Sequence, residues 1–234
     1  MLTLFFLNIW GEIVLPLDES NVVGQPIPIF RQDIIITVLR LIREAWQQLS
    51  KKGEILADWD EDTIAGALHN AMWEVKKNLG ITGPPQIVNE PASRKSSKSL
   101  KPDGFIDFKM FYGWGTEEDY FGIECKRISS STEGKDKDLA THYVNKGVMR
   151  FINGIYSPAH DCAAMVGFVV DGKLKECIER VCQRLSKYRQ KINMIEDWVI
   201  EDDFGLQDDL YRTIHHQQGQ NSTFRLLHLF LVVS

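Results

Sequence analysis

The chain has 234 residues, 44% of them hydrophobic and 25% charged, which is typical of a globular protein with one good-sized core. Its formal net charge of −5 argues against tight, non-specific binding of nucleic acid. The charge does not exclude a nuclease, because metal-binding carboxylates add negative charge and a local basic groove can lie on an acidic protein.

The N-terminal part is apolar but does not have the pattern of a signal peptide. Residues 1–29 are expected to form short strands or an extended arm, since they carry three prolines and lack a basic start. No run of about 18 apolar residues occurs, so no membrane span is expected. The cysteines have neither zinc spacing nor a convincing disulfide spacing, which favours reduced thiols and a cytoplasmic location; they are Cys125, Cys162, Cys177 and Cys182.

Two helices are predicted in the first third of the chain. Apolar residues recur at helical spacing over about 32–51, and Gly53 can end that helix. A second helix is predicted over about 62–78. The acidic residues before it suit a helix N-terminus, where exposed N–H groups and the helix dipole favour negative charge.

From Gln86 onward the pattern predicts strands, and then helices and strands in alternation. Residues 91–101 form a basic loop in this interpretation, 113–119 a hairpin turn and 129–138 a polar loop. The predicted strands are 86–90, 104–110, 120–128, 163–170, 198–200 and 224–233, and the predicted helices are 139–155 and 174–188. This order predicts an α/β fold with a mixed central sheet flanked by helices. We expect the arm and helix of residues 1–57 to pack on a core of residues 58–234 as one compact domain.

Two short segments carry the residues that matter for chemistry. The first is Lys101-Pro102-Asp103-Gly104, and the second is Glu124-Cys125-Lys126. Side chains alternate along a strand, so Glu124 and Lys126 point to one face while Cys125 points to the core. Asp103 begins the strand that forms a hairpin with this one, and the sequence therefore predicts that Asp103 lies beside Glu124.

Paired carboxylates at such a position indicate a divalent cation. Two adjacent carboxylates repel each other, and hard oxygen ligands suit Mg²⁺, for which Mn²⁺ can substitute. A bound cation can orient a water and offset the charge that develops on a phosphate during hydrolysis. Lys126 would stabilise that charge or act as a base, and the electrostatic role is favoured.

The arrangement of Pro102-Asp103 and Glu124-Cys125-Lys126 across a strand, a turn and a strand resembles the signature of the PD-(D/E)xK superfamily of restriction-endonuclease-like nucleases. The resemblance covers roughly residues 58–170. It implies an αβββαβ core in which Asp103 and Glu124 bind Mg²⁺ and Lys126 positions the attacking water.

The resemblance also implies an acidic residue near the start of the helix that precedes the strands. Glu61 is the candidate for this catalytic and metal-binding position, with Asp62 and Glu74 as rivals and helix N-terminal charge as the simpler explanation. Glu90 is a candidate outer ligand or a surface carboxylate. Asp107 shares a strand face with Asp103 and is a further candidate for the site, although a solvated side chain is the favoured interpretation.

Two basic surfaces are candidates for binding nucleic acid. Tyr143, Lys146 and Arg150 fall in one sector of the helix predicted after the third strand, where they contact phosphates or form an exposed face. The basic loop contributes Arg94, Lys95 and Lys98, which bind a nucleic-acid backbone or are simply solvated. The pair His215-His216 is predicted to lie in a loop.

These features lead to one main functional hypothesis and one alternative. The main hypothesis is Mg²⁺-dependent hydrolysis of phosphodiester bonds, with DNA favoured over RNA, as the effector of a prokaryotic or phage defence or restriction system. The alternative is a binding or assembly module on the nuclease fold that needs a partner or ligand for activity. A homodimer that aligns two active sites, or a complex with another defence protein, is compatible with both.

Overall fold

The computed structural model of the chain describes residues 32–93, 101–111, 120–136, 138–158, 160–202, 210–219 and 223–233. The predicted N-terminal arm and the hairpin turn at 113–119 lie outside the described residues. The same holds for the three basic-loop candidates Arg94, Lys95 and Lys98.

Helices account for much of the first half of the described chain and for two segments of the second. Their bounds are Gln32–Lys52 for α1, Glu61–Asn78 for α2, Leu139–His142 for α3, Met149–Ile152 for α4 and Leu174–Lys187 for α5. A π-helix, Tyr143–Val148, joins α3 to α4, and a short 3₁₀ turn spans Gly134–Asp136.

The strands form one large sheet and one two-stranded ribbon. Their bounds are Gln86–Asn89 for β1, Ala92–Ser93 for β2, Gly104–Phe105 for β3, Phe108–Phe111 for β4, Phe121–Ile128 for β5, Cys162–Val169 for β6, Met194–Ile200 for β7, Leu210–His216 for β8 and Thr223–Val232 for β9. The seven-stranded sheet has the order β1-β4-β5-β6-β9-β8-β7, and β2 pairs with β3.

The large sheet is parallel at its centre and antiparallel on both sides. Strand β6 runs parallel to both β5 and β9, while the remaining neighbours pair antiparallel. All eight residues of β6 are buried, which agrees with its nearly unbroken apolar sequence, because a central strand covered on both faces has no solvent side. The prediction of an α/β fold with a mixed central sheet flanked by helices is therefore confirmed.

Helices α1 and α2 cover one face of the sheet, and the segment α3–α4 together with α5 covers the other. Trp46 shows how α1 is held on the sheet. Its indole Nε1 donates to the carbonyl oxygen of Val232 at 3.0 Å, and its ring stacks on Phe168 with a centroid separation of 5.4 Å. The helix predicted at 32–51 thus packs on the core.

Three predicted elements differ from the structure. The predicted strand 104–110 is divided into β3 and β4, and the predicted helix 139–155 is interrupted by the π-helix and ends at Ile152, before Gly154 with its positive φ of 67°. The loop predicted around His215-His216 is wrong, because these residues end β8 and His215 is buried. The polar residues of β8 favoured a loop in the sequence, but in the structure several of them are buried and form hydrogen bonds with one another.

A series of buried polar contacts links β8 to the neighbouring strand β9 and to the π-helix. The Tyr143 hydroxyl lies 2.9 Å from Nδ1 of His228, and Nε2 of His228 lies 2.8 Å from the Thr213 hydroxyl. The same hydroxyl is 2.7 Å from Nε2 of His215, whose Nδ1 lies 2.8 Å from the carbonyl oxygen of Ile192. Hydrogen bonding within the chain compensates the cost of burying these polar groups.

No helix among the described residues combines the length and the apolar character that crossing a bilayer requires.

Candidate active site

Glu61 reaches the sheet because of where helix α2 begins. Asp60 caps this helix, and its Oδ1 accepts a hydrogen bond from the backbone N–H of Thr63 at 2.8 Å, which fixes Glu61 in the first turn. Glu61 Oε1 then lies 2.6 Å from the Lys126 ammonium, and Oε2 accepts from the backbone N–H of Arg127 at 3.0 Å. The structure thus brings Glu61, a sequence candidate, against β5.

Strand β5 presents Glu124 and Lys126 on the same face, as the alternation of its residues predicts. The Lys126 ammonium lies 2.8 Å from Glu124 Oε1, and Glu124 is 4% exposed. Ile123 and Cys125 are fully buried and belong to the core on the α1–α2 side of the sheet. One strand therefore joins an apolar core to a pair of ionisable side chains.

Asp107, rather than Asp103, is the aspartate beside Glu124. In the register between β4 and β5, Phe108 pairs with Ile123, so the next position places Asp107 opposite Glu124. Oδ2 of Asp107 accepts a hydrogen bond from the backbone N–H of Cys125 at 2.6 Å. If β4 extended further, the backbone N–H of Cys125 would donate to a carbonyl of that strand. It donates to the Asp107 side chain instead, which explains why the predicted strand 104–110 is divided into β3 and β4.

The predicted position of Asp103, beside Glu124, is wrong. Asp103 is exposed and lies next to β3, where its backbone N–H donates to the carbonyl of Ser93 at 2.8 Å. Its own carbonyl accepts from the Arg150 guanidinium at 3.3 Å. Because the chain turns away from β5 to form the ribbon with β2, the Asp103 side chain is not part of the acidic cluster. The interpretation of Asp107 as a solvated side chain is also wrong, because its carboxylate is bound to the backbone N–H of Cys125 and lines the cavity beside Glu124.

Burial and mutual repulsion favour the protonated forms of both central acids. Burial, reinforced by the neighbouring Asp107, raises the pKa of Glu124 to about 8. Burial also raises the pKa of Asp107 to about 6, although the charge of Lys126 and the N–H of Cys125 oppose the rise. A cation bound between the two carboxylates would remove this cost.

The acidic neighbours of Lys126 hold it as a cation in this arrangement. Burial opposes its charge, but the carboxylates of Glu124, Glu61 and Asp107 raise its pKa above the usual value. An ammonium group has three donors, and Nζ has three acceptors within 2.8 Å, which are Glu61, Glu124 and the carbonyl of Cys125. This geometry favours the electrostatic role over proton abstraction.

An open cavity of about 460 Å³ adjoins the acidic cluster, and two basic residues also line it. These residues are Lys146 and Arg150, and the Arg150 guanidinium lies 5.6 Å from the ring centre of Tyr156. The cavity is lined by Glu61, Asp62, Glu90, Phe105, Ile106, Asp107, Glu124, Lys126, Lys146, Arg150 and Tyr156. Sequence reasoning missed Phe105 and Tyr156, since only the folded chain brings β3 and the turn after α4 together.

The remaining candidates divide between the cavity and other parts of the molecule. Glu90 lines the cavity with a positive φ of 49°, and its backbone N–H donates to the carbonyl of Asp107 at 2.9 Å. Asp62 also lines it, whereas Glu74 lies in a separate groove beside Trp73. The prediction that Tyr143 contacts phosphate is wrong, because the π-helix turns this residue into the core.

The oxygen atoms of the acidic cluster fit a hard cation. Among the described residues, no group of three or more His, Cys, Asp and Glu side chains forms a ready metal cage. However, Mg²⁺ is commonly held by one or two carboxylates together with waters and phosphate oxygens. Within the same part of the chain, Oε2 of Glu124 is buried and has no N–H or hydroxyl donor, which leaves it available as a ligand beside Asp107.

Comparison of the chain with protein-family models, with curated proteins and with solved structures returns no match in any of the three.

Proposed function

We propose that the protein is a Mg²⁺-dependent nuclease that hydrolyses phosphodiester bonds, with Asp107, Glu124, Lys126 and Glu61 as its working residues. The observation that carries the proposal is the cluster itself. Two carboxyl groups with raised pKa values and a lysine line an open cavity that Lys146 and Arg150 also line. Perturbed acids in a cleft are typical of catalytic sites.

Each side chain has a defined task in this proposal. Asp107 and Glu124 hold the cation, which supplies Lewis-acid assistance and a polarised water when it is bound. Lys126 stabilises negative charge on the phosphate oxygens, and Glu61 orients the Lys126 ammonium through their 2.6 Å contact. Lys146 and Arg150, which line the same cavity, bind phosphates.

The order of the elements supports a restriction-endonuclease-like core. Helix α2 is followed by the antiparallel strands β1, β4 and β5, then by the segment α3–α4 and the parallel strand β6. This is the αβββαβ order of the PD-(D/E)xK superfamily. In that interpretation Asp107 takes the position of the family's aspartate, and it follows Ile106 rather than a proline.

The proposed substrate and cellular role extend the same argument. DNA is favoured over RNA, and a defence or restriction function in the cytoplasm is the setting in which such an enzyme would act. Both statements rest on the habits of the family and on no feature of this site.

The test compares two aspartates that differ in position but not in chemistry. We expect Asp107→Asn to abolish Mg²⁺-dependent cleavage of plasmid and oligonucleotide DNA and to remove the heat of Mg²⁺ or Mn²⁺ binding in calorimetry. Asp103→Asn, the matched control, should retain both. Lys126→Met should lose cleavage and keep metal binding.

Several outcomes would refute the assignment. Cleavage that persists in EDTA would rule out the metal mechanism, and loss of activity in Asp103→Asn with a normal Asp107→Asn would reverse the roles of the aspartates. Metal binding without cleavage of any nucleic acid would favour the binding or assembly module.

A further inference from the structure

Phe105 occupies an unusual position for an apolar residue. It is 61% exposed, more than any other large hydrophobic residue in the described part of the chain. An isolated exposed apolar side chain on a surface needs no explanation, but Phe105 lines the cavity that holds the acidic cluster. The next residue, Ile106, is buried in the core, whereas the phenyl ring of Phe105 points into the solvent-accessible cavity.

The backbone of Phe105 is held on both sides. Phe105 pairs with Ala92 in the ribbon of β2 and β3, and its carbonyl accepts a hydrogen bond from the Tyr156 hydroxyl at 2.5 Å. The next backbone N–H, that of Ile106, donates to the carbonyl of Pro91 at 3.3 Å. A ring on so well anchored a backbone loses little conformational entropy when a flat ligand stacks on it.

The surroundings of the ring indicate which ligand it would take. Phe105 lies two residues before Asp107, so their Cα atoms are at most about 7 Å apart. The same cavity contains Lys146 and Arg150 as phosphate partners. A group that offers a phosphate and a flat aromatic surface a few ångströms apart is a nucleotide with its base unstacked.

We propose that Phe105 is a stacking platform for an unpaired nucleobase next to the reacting phosphate, so that the site prefers single-stranded or locally unpaired nucleic acid. The inference rests on the proposed nuclease function and specifies its substrate class. A base inside a continuous duplex is stacked on its neighbours and cannot offer its face to the ring. Arg150, held over Tyr156, would bind the phosphate of the same nucleotide.

The test measures base stacking directly and does not need cleavage. A short single-stranded DNA that carries 2-aminopurine is titrated into the Lys126→Met protein with Mg²⁺, and fluorescence and affinity are recorded. We expect strong quenching on binding. Adding Phe105→Ala should abolish the quenching and weaken binding about tenfold to hundredfold, the range typical of one stacked base.

Two further substitutions separate stacking from hydrophobic contact. Phe105→Trp should keep the quenching, while Phe105→Leu, which is apolar but has no aromatic face, should lose it. Trp73→Ala is the control for removing an exposed aromatic residue elsewhere, and it should change neither signal. The matching duplex should bind with an affinity that does not depend on Phe105.

The inference is overturned if Phe105→Ala leaves quenching and affinity unchanged, if it weakens duplex and single strand equally, or if no oligonucleotide binds. Failure of the nuclease proposal gives a different result. Quenching that depends on Phe105, in a protein with intact Lys126 that cleaves no nucleic acid, would support base binding and refute hydrolysis.

Discussion

Replacing Glu124 with glutamine removes one negative charge from the buried cluster and should make the metal-free protein more stable at alkaline pH. Burial raises the pKa of Glu124 from 4.5 to about 8. Between these values the folded protein binds more protons than the unfolded chain, so stability falls as the pH rises. Glutamine does not ionise, and its contribution is the same throughout.

The size of the effect follows from the shift. Each unit of pKa difference corresponds to about 1.4 kcal/mol of unfolding free energy. Between pH 5.5 and pH 8, roughly two units of the shift of Glu124 contribute to the change in stability. The wild-type protein should therefore lose about 3 kcal/mol relative to Glu124→Gln over this range. For a chain of this length the loss corresponds to a difference in melting temperature of roughly 6–12 °C.

Thermal and urea unfolding in EDTA at pH 5.5 and pH 8 measure this difference. Added Mg²⁺ should restore the stability of the wild-type protein at pH 8 and have little effect on Glu124→Gln, because ligand binding stabilises only a protein that retains the site. If both proteins lose stability in parallel between the two pH values, burial does not raise the pKa of Glu124.

Three further substitutions test the fold. Gly167→Ala should cost about 1–3 kcal/mol in urea unfolding, because its new methyl group would lie 2.8 Å from the Phe230 ring; a stable variant would show that the ring can move. Burial lowers the pKa of His215 to about 4, so the folded protein takes up its proton later than the unfolded chain and stability falls from pH 6.5 to 4.5. His215→Gln should lose about 2 kcal/mol less than the wild type over that interval, and equal losses would contradict the buried neutral ring. Trp46→Phe should cost about 1 kcal/mol of unfolding free energy through the lost hydrogen bond to Val232, and no change would assign the role of Trp46 to packing alone.

The sequence predicts the elements whose pattern is local. Helices α1 and α2 follow from apolar residues at helical spacing, and β6 follows from an unbroken apolar run. Glu124 and Lys126 share a face because a strand alternates, which needs no knowledge of the partner strand. Glu61 was a candidate because the family resemblance implies an acidic residue near the start of the helix before the strands, whereas an acid at a helix N-terminus has a simpler explanation in the helix dipole.

The missed aspartate depends on a relation between strands. Which residue lies opposite Glu124 is set by the register of the hairpin, and the motif Pro102-Asp103 directed attention to the wrong residue. Counting outward from the middle of the predicted turn at 113–119 leads close to Asp107 and not to Asp103. Strand β8 was missed because its polar residues are buried against polar partners, a pairing that no local pattern reveals.

The buried series of hydrogen bonds from the Tyr143 hydroxyl to the Ile192 carbonyl has a direction. The Ile192 carbonyl can only accept, so Nδ1 of His215 carries a proton and its Nε2 accepts from the Thr213 hydroxyl. Thr213 then accepts from Nε2 of His228, whose Nδ1 accepts from Tyr143. The tautomers of both imidazoles are thus dictated by one peptide group in the turn before β7. A shift of that turn would reverse or break the series of hydrogen bonds as far as Tyr143 in the π-helix. Tyr143 lies about two helical turns before Arg150, whose guanidinium lines the cavity.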